Sequence, residues 1–304
     1  MSLLIVGSVA FDALETPFGK TGKILGGAGT FIALSTSYFC LKPNVISVVG
    51  GDFPKEYFDI LEKRNIDISG IQIKKDEKTF FWYGKYHTNM NVRDTLITEL
   101  NVLENFKPEI PASYQDTDFL ILGNLSPVVQ REVIEGLKKR PKLIAMDTMN
   151  FWMDIMWDEL MKTISMVDIL VINDDEARQM SREHSLVKAS EKILKMGPKY
   201  LIIKKGEHGA LLFGENKIFS TAALPMAEVF DPTGAGDTFL GGFMGHLSKQ
   251  KDINFENMKS SVVMASVMAS FCVEKFGTKK LENLEKNEIE NRITKFKDLT
   301  HFKM

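Results

Sequence analysis

The chain has 304 residues, 44% of them hydrophobic and 26% charged, with a formal net charge of −2. That length can bury a large core, and a near-neutral chain without a basic block excludes nucleic acid as its main partner. No apolar run approaches the ~18 residues that cross a bilayer, so no membrane partner is expected.

The N-terminal stretch "MSLLIVGSVAFD" is apolar only over residues 3–6 and lacks a basic leader, so it reads as a first buried strand. Further short apolar runs follow, each bounded by turn residues: "NVISVVGG", "DFLILGN", "KLIAMD", "DILVIND" and "KYLIIKKG". Several carry apolar side chains on both faces, as strands covered by helices on both sides do. Helical patterns lie between them: "GTFIALSTSYF", "PKEYFDILEKR", "VVQREVIEGLKKR", "WDELMKTISM" and "SLVKASEKILKMG". The alternation predicts one α/β domain over residues 1–304, with a mainly parallel central sheet and helices on both faces. Residues 71–104 break it with strand-like, polar and aromatic pieces, which predicts a small β-sheet lid formed by about 11–22 and 71–104. Lys85 and Arg93 in this stretch read as solvated charges on a strand edge. Cys40 and Cys272 lie far apart in apolar surroundings and read as core residues of a reducing, cytoplasmic compartment.

The densest chemical signal is "DPTGAGDTF" at residues 231–239. Gly234 and Gly236 remove side-chain bulk at a helix start, where backbone N–H groups and the helix dipole favour an anion. An aspartate in that nest, Asp237, would repel a resting phosphate, but it suits proton removal beside a phosphoryl in transit. Rival phosphate motifs fail. The Walker pattern ending at Gly19-Lys20-Thr21 has Leu14 where its first glycine belongs, and a dinucleotide pattern from Gly234 meets Phe239 at its sixth position.

"DPTGAGDTFLGGF" closely resembles the C-terminal motif of the ribokinase-like, or PfkB-type, carbohydrate kinases. "GGAGTFIAL" from Gly26, "VVGGDFP" around Gly51 and Asp52, "NDDE" and "KKGEHGALLF" are similar to further motifs of that family, in family order over residues 1 to about 280. The resemblance implies Asp237 as general base, with the N–H groups of Gly234, Ala235 and Gly236 as anion hole. It implies Asp12, Gly26 and Gly27 at the substrate, although Ala28 stands where the family often has Asn or Lys. It puts Asn173, Lys205, Gly206, Gly209 and Asn150 at the nucleotide; Asn150 departs from the family pattern in spacing and lacks the following arginine. Glu176 would organise Mg²⁺, and Asp231 and Thr233 a monovalent cation such as K⁺. Asn173 and Glu176 also have capping-box spacing, and Asp-Pro-Thr-Gly is good turn chemistry in its own right.

The implied activity is ATP- and Mg²⁺-dependent phosphorylation of a hydroxyl on a small sugar or sugar-like polyol. The alternatives are a nucleoside kinase of the same superfamily and a non-catalytic sugar or nucleotide sensor on the kinase scaffold. Intact Asp237 and its glycines argue against the sensor. The lid offers a surface through which a homodimer could form.

Overall fold

The computed structural model describes residues 1–301. The chain opens with β1 (Leu3–Val6), β2 (Ala10–Thr16), β3 (Gly19–Lys20), β4 (Ile24–Gly26) and α1 (Ala28–Thr36). Next come β5 (Asn44–Gly50), α2 (Lys55–Lys63), β6 (Asp67–Lys74), β7 (Phe81–Tyr86) and β8 (Arg93–Glu99). The middle alternates β9 (Phe119–Leu122), α3 (Pro127–Gly136), β10 (Leu143–Asp147), α4 (Asn150–Ile155), α5 (Trp157–Ile164), β11 (Ile169–Asn173), α6 (Asp174–Ser181) and α7 (Leu186–Leu194). The last part holds β12 (Tyr200–Lys204), β13 (Ala210–Gly214), β14 (Lys217–Thr221), α8 (Ala235–Leu247), α9 (Phe255–Cys272) and α10 (Lys286–Thr300).

Nine strands form one sheet in the order β14-β13-β12-β11-β10-β9-β1-β5-β6. Every pairing from β12 to β6 is parallel; only β13 and β14 add antiparallel. Period-two alternation divides the apolar side chains between two cores. Leu3 and Ile5 of β1 join α1, α8 and α9 on one face, while Leu4 and Val6 join α3, α5, α6 and α7 on the other. This is the expected architecture, and Cys40 and Cys272 are both free and buried.

The second sheet is β3-β2-β7-β8, with β4 also paired to β2. Its boundary differs from the expected one. Residues 71–74 belong to β6, which runs parallel to β5 at the edge of the main sheet, so the second half of the lid begins at β7. The aspartate of "VVGGDFP" fastens that crossing: Asp52 Oδ1 accepts from Thr79 N (2.8 Å) and Thr79 Oγ1 (2.7 Å), and the Gly50 N–H donates to Thr79 Oγ1 (2.9 Å). Thr79 is 1% exposed, so its N–H cannot turn to water instead. Replacing Asp52 by Ala should therefore cost about 1–3 kcal/mol in urea denaturation, and Asp52→Asn, which keeps an acceptor, should cost less.

Candidate active site

The carboxyl ends of the parallel strands collect the polar residues. Asp147, Asn173 and Lys204 close β10, β11 and β12, three neighbouring strands. Ligand sites in open α/β sheets form beyond this edge. Across it, α8 starts at Gly234, whose φ of 73° lies in the left-handed region. The Ala235 N–H is tied to Pro232 O (3.2 Å), whereas no partner among the described residues engages the N–H groups of Gly234 and Gly236. The free donors at the head of α8 are therefore two of the three expected.

Asp237 sits in the first turn of α8. Its Oδ1 is buried and has no hydrogen-bond partner among the described residues. Burial raises its pKa to about 7, helped by the charges of Asp147 and Asp12 and opposed by Lys204 and Arg93. An unpartnered carboxylate oxygen held near neutrality can accept a proton from a hydroxyl.

Asp12 lies on the cleft side of β2, 5% exposed, and its Oδ2 accepts from Gly27 N at 3.3 Å. A Cβ on Gly26 would fall 2.0 Å from the same oxygen, so only glycine permits this carboxylate its position. Burial pushes Asp12 to about 7 as well, the Gly27 N–H opposing. Gly27 caps α1, and Ser8 satisfies the head of that helix by accepting from Ala28 N (3.0 Å) and Gly29 N (2.8 Å).

Asn173 and Glu176 form a complete capping box on α6: Asn173 Oδ1 accepts from Glu176 N (2.8 Å), and Glu176 Oε2 accepts from Asn173 N (2.7 Å). The other carboxylate oxygen of Glu176 takes no part in the box. Burial, then the charge of Asp147, raises the Glu176 pKa to about 7. Asp231 is fully buried and gives one oxygen to Thr233 N and the other to Gly277 N, both at 2.8 Å, which is the turn role in full. Thr233 donates its hydroxyl to Tyr86 of the lid at 3.1 Å.

Two of the residues expected at the nucleotide stand beside neighbours that the structure brings closer to Asp237. Lys205 donates its N–H to Gly209 O in the turn after β12, while the lysine that reaches the site is Lys204, whose Nζ lies 3.4 and 3.5 Å from the two Asp147 oxygens. Asn150 is exposed at the start of α4, with Oδ1 accepting from Phe151 N; the residue of that stretch inside the site is Asp147. Both missed residues carry the same signal, a charged side chain closing an apolar strand, as in "LIAMD" and "YLIIK". Gly206 and Gly209 line a cavity of about 720 Å³ with Lys204 and Gly236. The lid reaches this cavity through Phe18 and Asn91, and Asn91 Oδ1 lies 2.6 Å from where a Cβ on Gly206 would be.

Of the two lid cations, Lys85 pairs with Glu15 at 2.7 Å within the lid. Arg93 is exposed on β8, the edge strand of the lid sheet, which is the expected setting of a solvated edge charge. It lies over Trp82 (5.5 Å to the ring centroid), and its charge favours the ionised forms of Asp12, Glu176 and Asp237. Trp82 is the register partner of Asp12 and so shares its face; its ring lies against Gly84, with Nε1 donating to Thr95 at 3.3 Å.

Three carboxylates, Asp147, Glu176 and Asp237, thus surround one ammonium. Their surplus negative charge and oxygen donors fit a divalent cation such as Mg²⁺, which keeps several waters and takes few protein ligands. Among the described residues no group of three or more His, Cys, Asp or Glu is placed to hold a metal ion by itself.

The sequence model described as "pfkB family carbohydrate kinase" matches residues 4–285, and the chain belongs to that family. It is an ATP-dependent carbohydrate or nucleoside kinase of the ribokinase superfamily, a phosphotransferase with a hydroxyl acceptor. The cytidine kinase of Thermococcus kodakarensis is 29% identical over 256 residues, covering 83% of this chain and 91% of that protein. The ATP-dependent 6-phosphofructokinase of Thermoanaerobacterium thermosaccharolyticum is 26% identical over 275 residues, 81% of each. An Escherichia coli protein described as a ribokinase II, solved with ATP and Mg²⁺, superposes with a TM-score of 0.79 at 20% identity, over 96% of this chain and 99% of that one.

The raised pKa of Asp237 has a consequence for stability. A carboxyl whose folded pKa exceeds its unfolded value disfavours the fold once ionised, fully so above about 7, and the penalty fades as pH falls toward 3.8. Asp237→Asn should therefore raise Tm by about 2–4 °C at pH 8, with the gain vanishing near pH 4 in a pH series of melts.

Proposed function

We propose that the protein transfers the γ-phosphoryl of ATP to a hydroxyl of an unphosphorylated, ribose-like acceptor, with Asp237 as general base, and that the acceptor is a nucleoside. The free Oδ1 of Asp237 beside the head of α8 carries the reading. The acceptor hydroxyl gives its proton to Asp237 while its oxygen attacks the γ-phosphorus. The bond to the β-phosphate oxygen breaks opposite. The Gly234 and Gly236 N–H groups and the helix dipole stabilise the charge on the phosphoryl in flight. Glu176 and Asn173 would hold Mg²⁺, which supplies positive charge at the phosphates. The proposal does not include a monovalent cation: in the structure Asp231 serves the turn, each of its oxygens accepting from one backbone N–H.

Asp12 can accept two acceptor hydroxyls, and Trp82 on the same lid face offers a flat surface to a base. The kinship with a cytidine kinase supports this choice. A second reading, a sugar phosphate, draws on Arg93 at the cleft and on the kinship with a phosphofructokinase.

Asp237→Asn should lower kcat by about 10²–10⁴. In the parent, kcat/KM should fall as pH drops through about 7, since the base must be ionised, and the variant should lose that limb. A kcat within a few-fold of the parent would remove Asp237 from the role.

ATP consumption measured across nucleosides, free pentoses and sugar phosphates tests the acceptor. Turnover should favour nucleosides; Asp12→Ala should raise acceptor KM by about 10-fold or more, and Trp82→Ala should do so for nucleosides but not for free ribose. Turnover confined to a sugar phosphate, abolished by Arg93→Ala and hardly touched by Asp12→Ala, would select the second reading.

A further inference from the structure

Lys204 ends β12 with a side chain only 15% exposed. Its acceptors among the described residues are the two Asp147 oxygens, at 3.4 and 3.5 Å. A settled ammonium–carboxylate bond closes to about 2.7–2.9 Å. Three strong donors are therefore buried against one distant acceptor, a costly arrangement unless another acceptor comes.

The position of Nζ identifies that acceptor. A Cβ on Gly236 would lie 2.9 Å from it, so the ammonium rests against the head of α8 beside Gly236, whose N–H is unpaired among the described residues. Lys204 and Gly236 both line the 720 Å³ cavity, whereas Asp147 does not. The head of α8, with its dipole, and the ammonium thus meet at Gly236, and the charge of Asp237 acts on the same ammonium. That point suits a phosphoryl group of a nucleoside triphosphate.

Resting on the kinase reading above, we propose that Lys204 is a catalytic residue whose ammonium leaves Asp147 to bind the transferring γ-phosphoryl, and that Asp147 is the counter-ion that holds it in place between turnovers. In the step, the acceptor oxygen–phosphorus bond forms, the phosphorus–oxygen bond to the β-phosphate breaks and the hydroxyl proton passes to Asp237. Lys204 keeps all three of its protons and supplies charge alone. The loose pairing follows from this role: a tighter bond to Asp147 would have to be broken in every cycle. Gly236 follows too, since any side chain there would displace the ammonium.

The test uses the full chain with Lys204→Met, Lys204→Arg and the double variant Lys204→Met/Asp147→Asn. Affinities for ADP and for the non-hydrolysable triphosphate AMP-PNP, each with Mg²⁺, are measured by calorimetry beside kcat and Tm. Lys204→Met should weaken AMP-PNP about 10-fold, leave ADP within about threefold and lower kcat by about 10²–10³. Lys204→Arg should retain part of both. The double variant, with its pair neutralised, should recover Tm but neither kcat nor AMP-PNP affinity. Equal losses for ADP and AMP-PNP, or a double variant that regains kcat, would overturn the proposal and leave Lys204 as a structural partner of Asp147. A parent that phosphorylates no acceptor would defeat the kinase reading alone, because the AMP-PNP to ADP ratio still decides Lys204. A parent that binds neither nucleotide would defeat both.

Discussion

The cleft depends on α1 and α8 touching backbone to backbone. A Cβ on Gly241 would lie 2.4 Å from the Ile32 carbonyl oxygen, so a methyl group there would push the helices apart. Hydrogen bonds fix the same spacing: Ser35 donates to Thr238 O at 2.7 Å and Thr36 to Gly241 O at 3.1 Å. The head of α1 carries Gly27, which holds Asp12, and the head of α8 carries Asp237. One close crossing therefore sets the separation of two carboxylates, one on a lid strand and one on a helix of the main body.

That crossing also creates an electrostatic conflict. Asp12, Asp237, Glu176 and Asp147 all have pKa values raised first by burial, and several raise each other. Burial pulls Lys204 down, yet the attraction of Asp147, Glu176 and Asp237 outweighs it and keeps the ammonium charged. A core with no function would replace such a group by packed apolar residues at little cost. Here two continuous apolar cores, one on each face of the nine-stranded sheet, provide the stability that lets the edge remain strained in charge.

The parallel sheet was legible because its strands are short apolar runs with turn residues at both ends, and β9, β10 and β11 fall where those runs lie. The long α9 left no comparable trace. It is buried on several sides, so its apolar residues show little of the one-sided period that marks a surface helix. Motif spacing pointed to Asp237 and Asp12 and to the capping box of α6, since each is a local arrangement. Lys204 and Asp147 lie 57 positions apart in sequence and meet only because β10, β11 and β12 are neighbours, which is a fact of topology. The pairing of β7 with β8, equally invisible in the sequence, leaves Arg93 exposed on the edge strand yet lays it over Trp82.

The lid is joined to the body in a way that separates two kinds of evolutionary change. Strand β2 leaves β1 after three residues and the chain returns through Gly26–Gly27 straight into α1, while β7 departs beside the Asp52–Thr79 anchor. Asp12, Trp82, Tyr86 and Arg93 ride on these excursions; Asp147, Glu176, Lys204 and Asp237 belong to the main sheet and its helices. Lid substitutions can thus redraw the shape and charge of the cleft roof without disturbing the floor. A lineage built this way can diversify in what it accepts while inheriting its phosphate chemistry unchanged, and kinases with differently named acceptors are the expected relatives of such a chain.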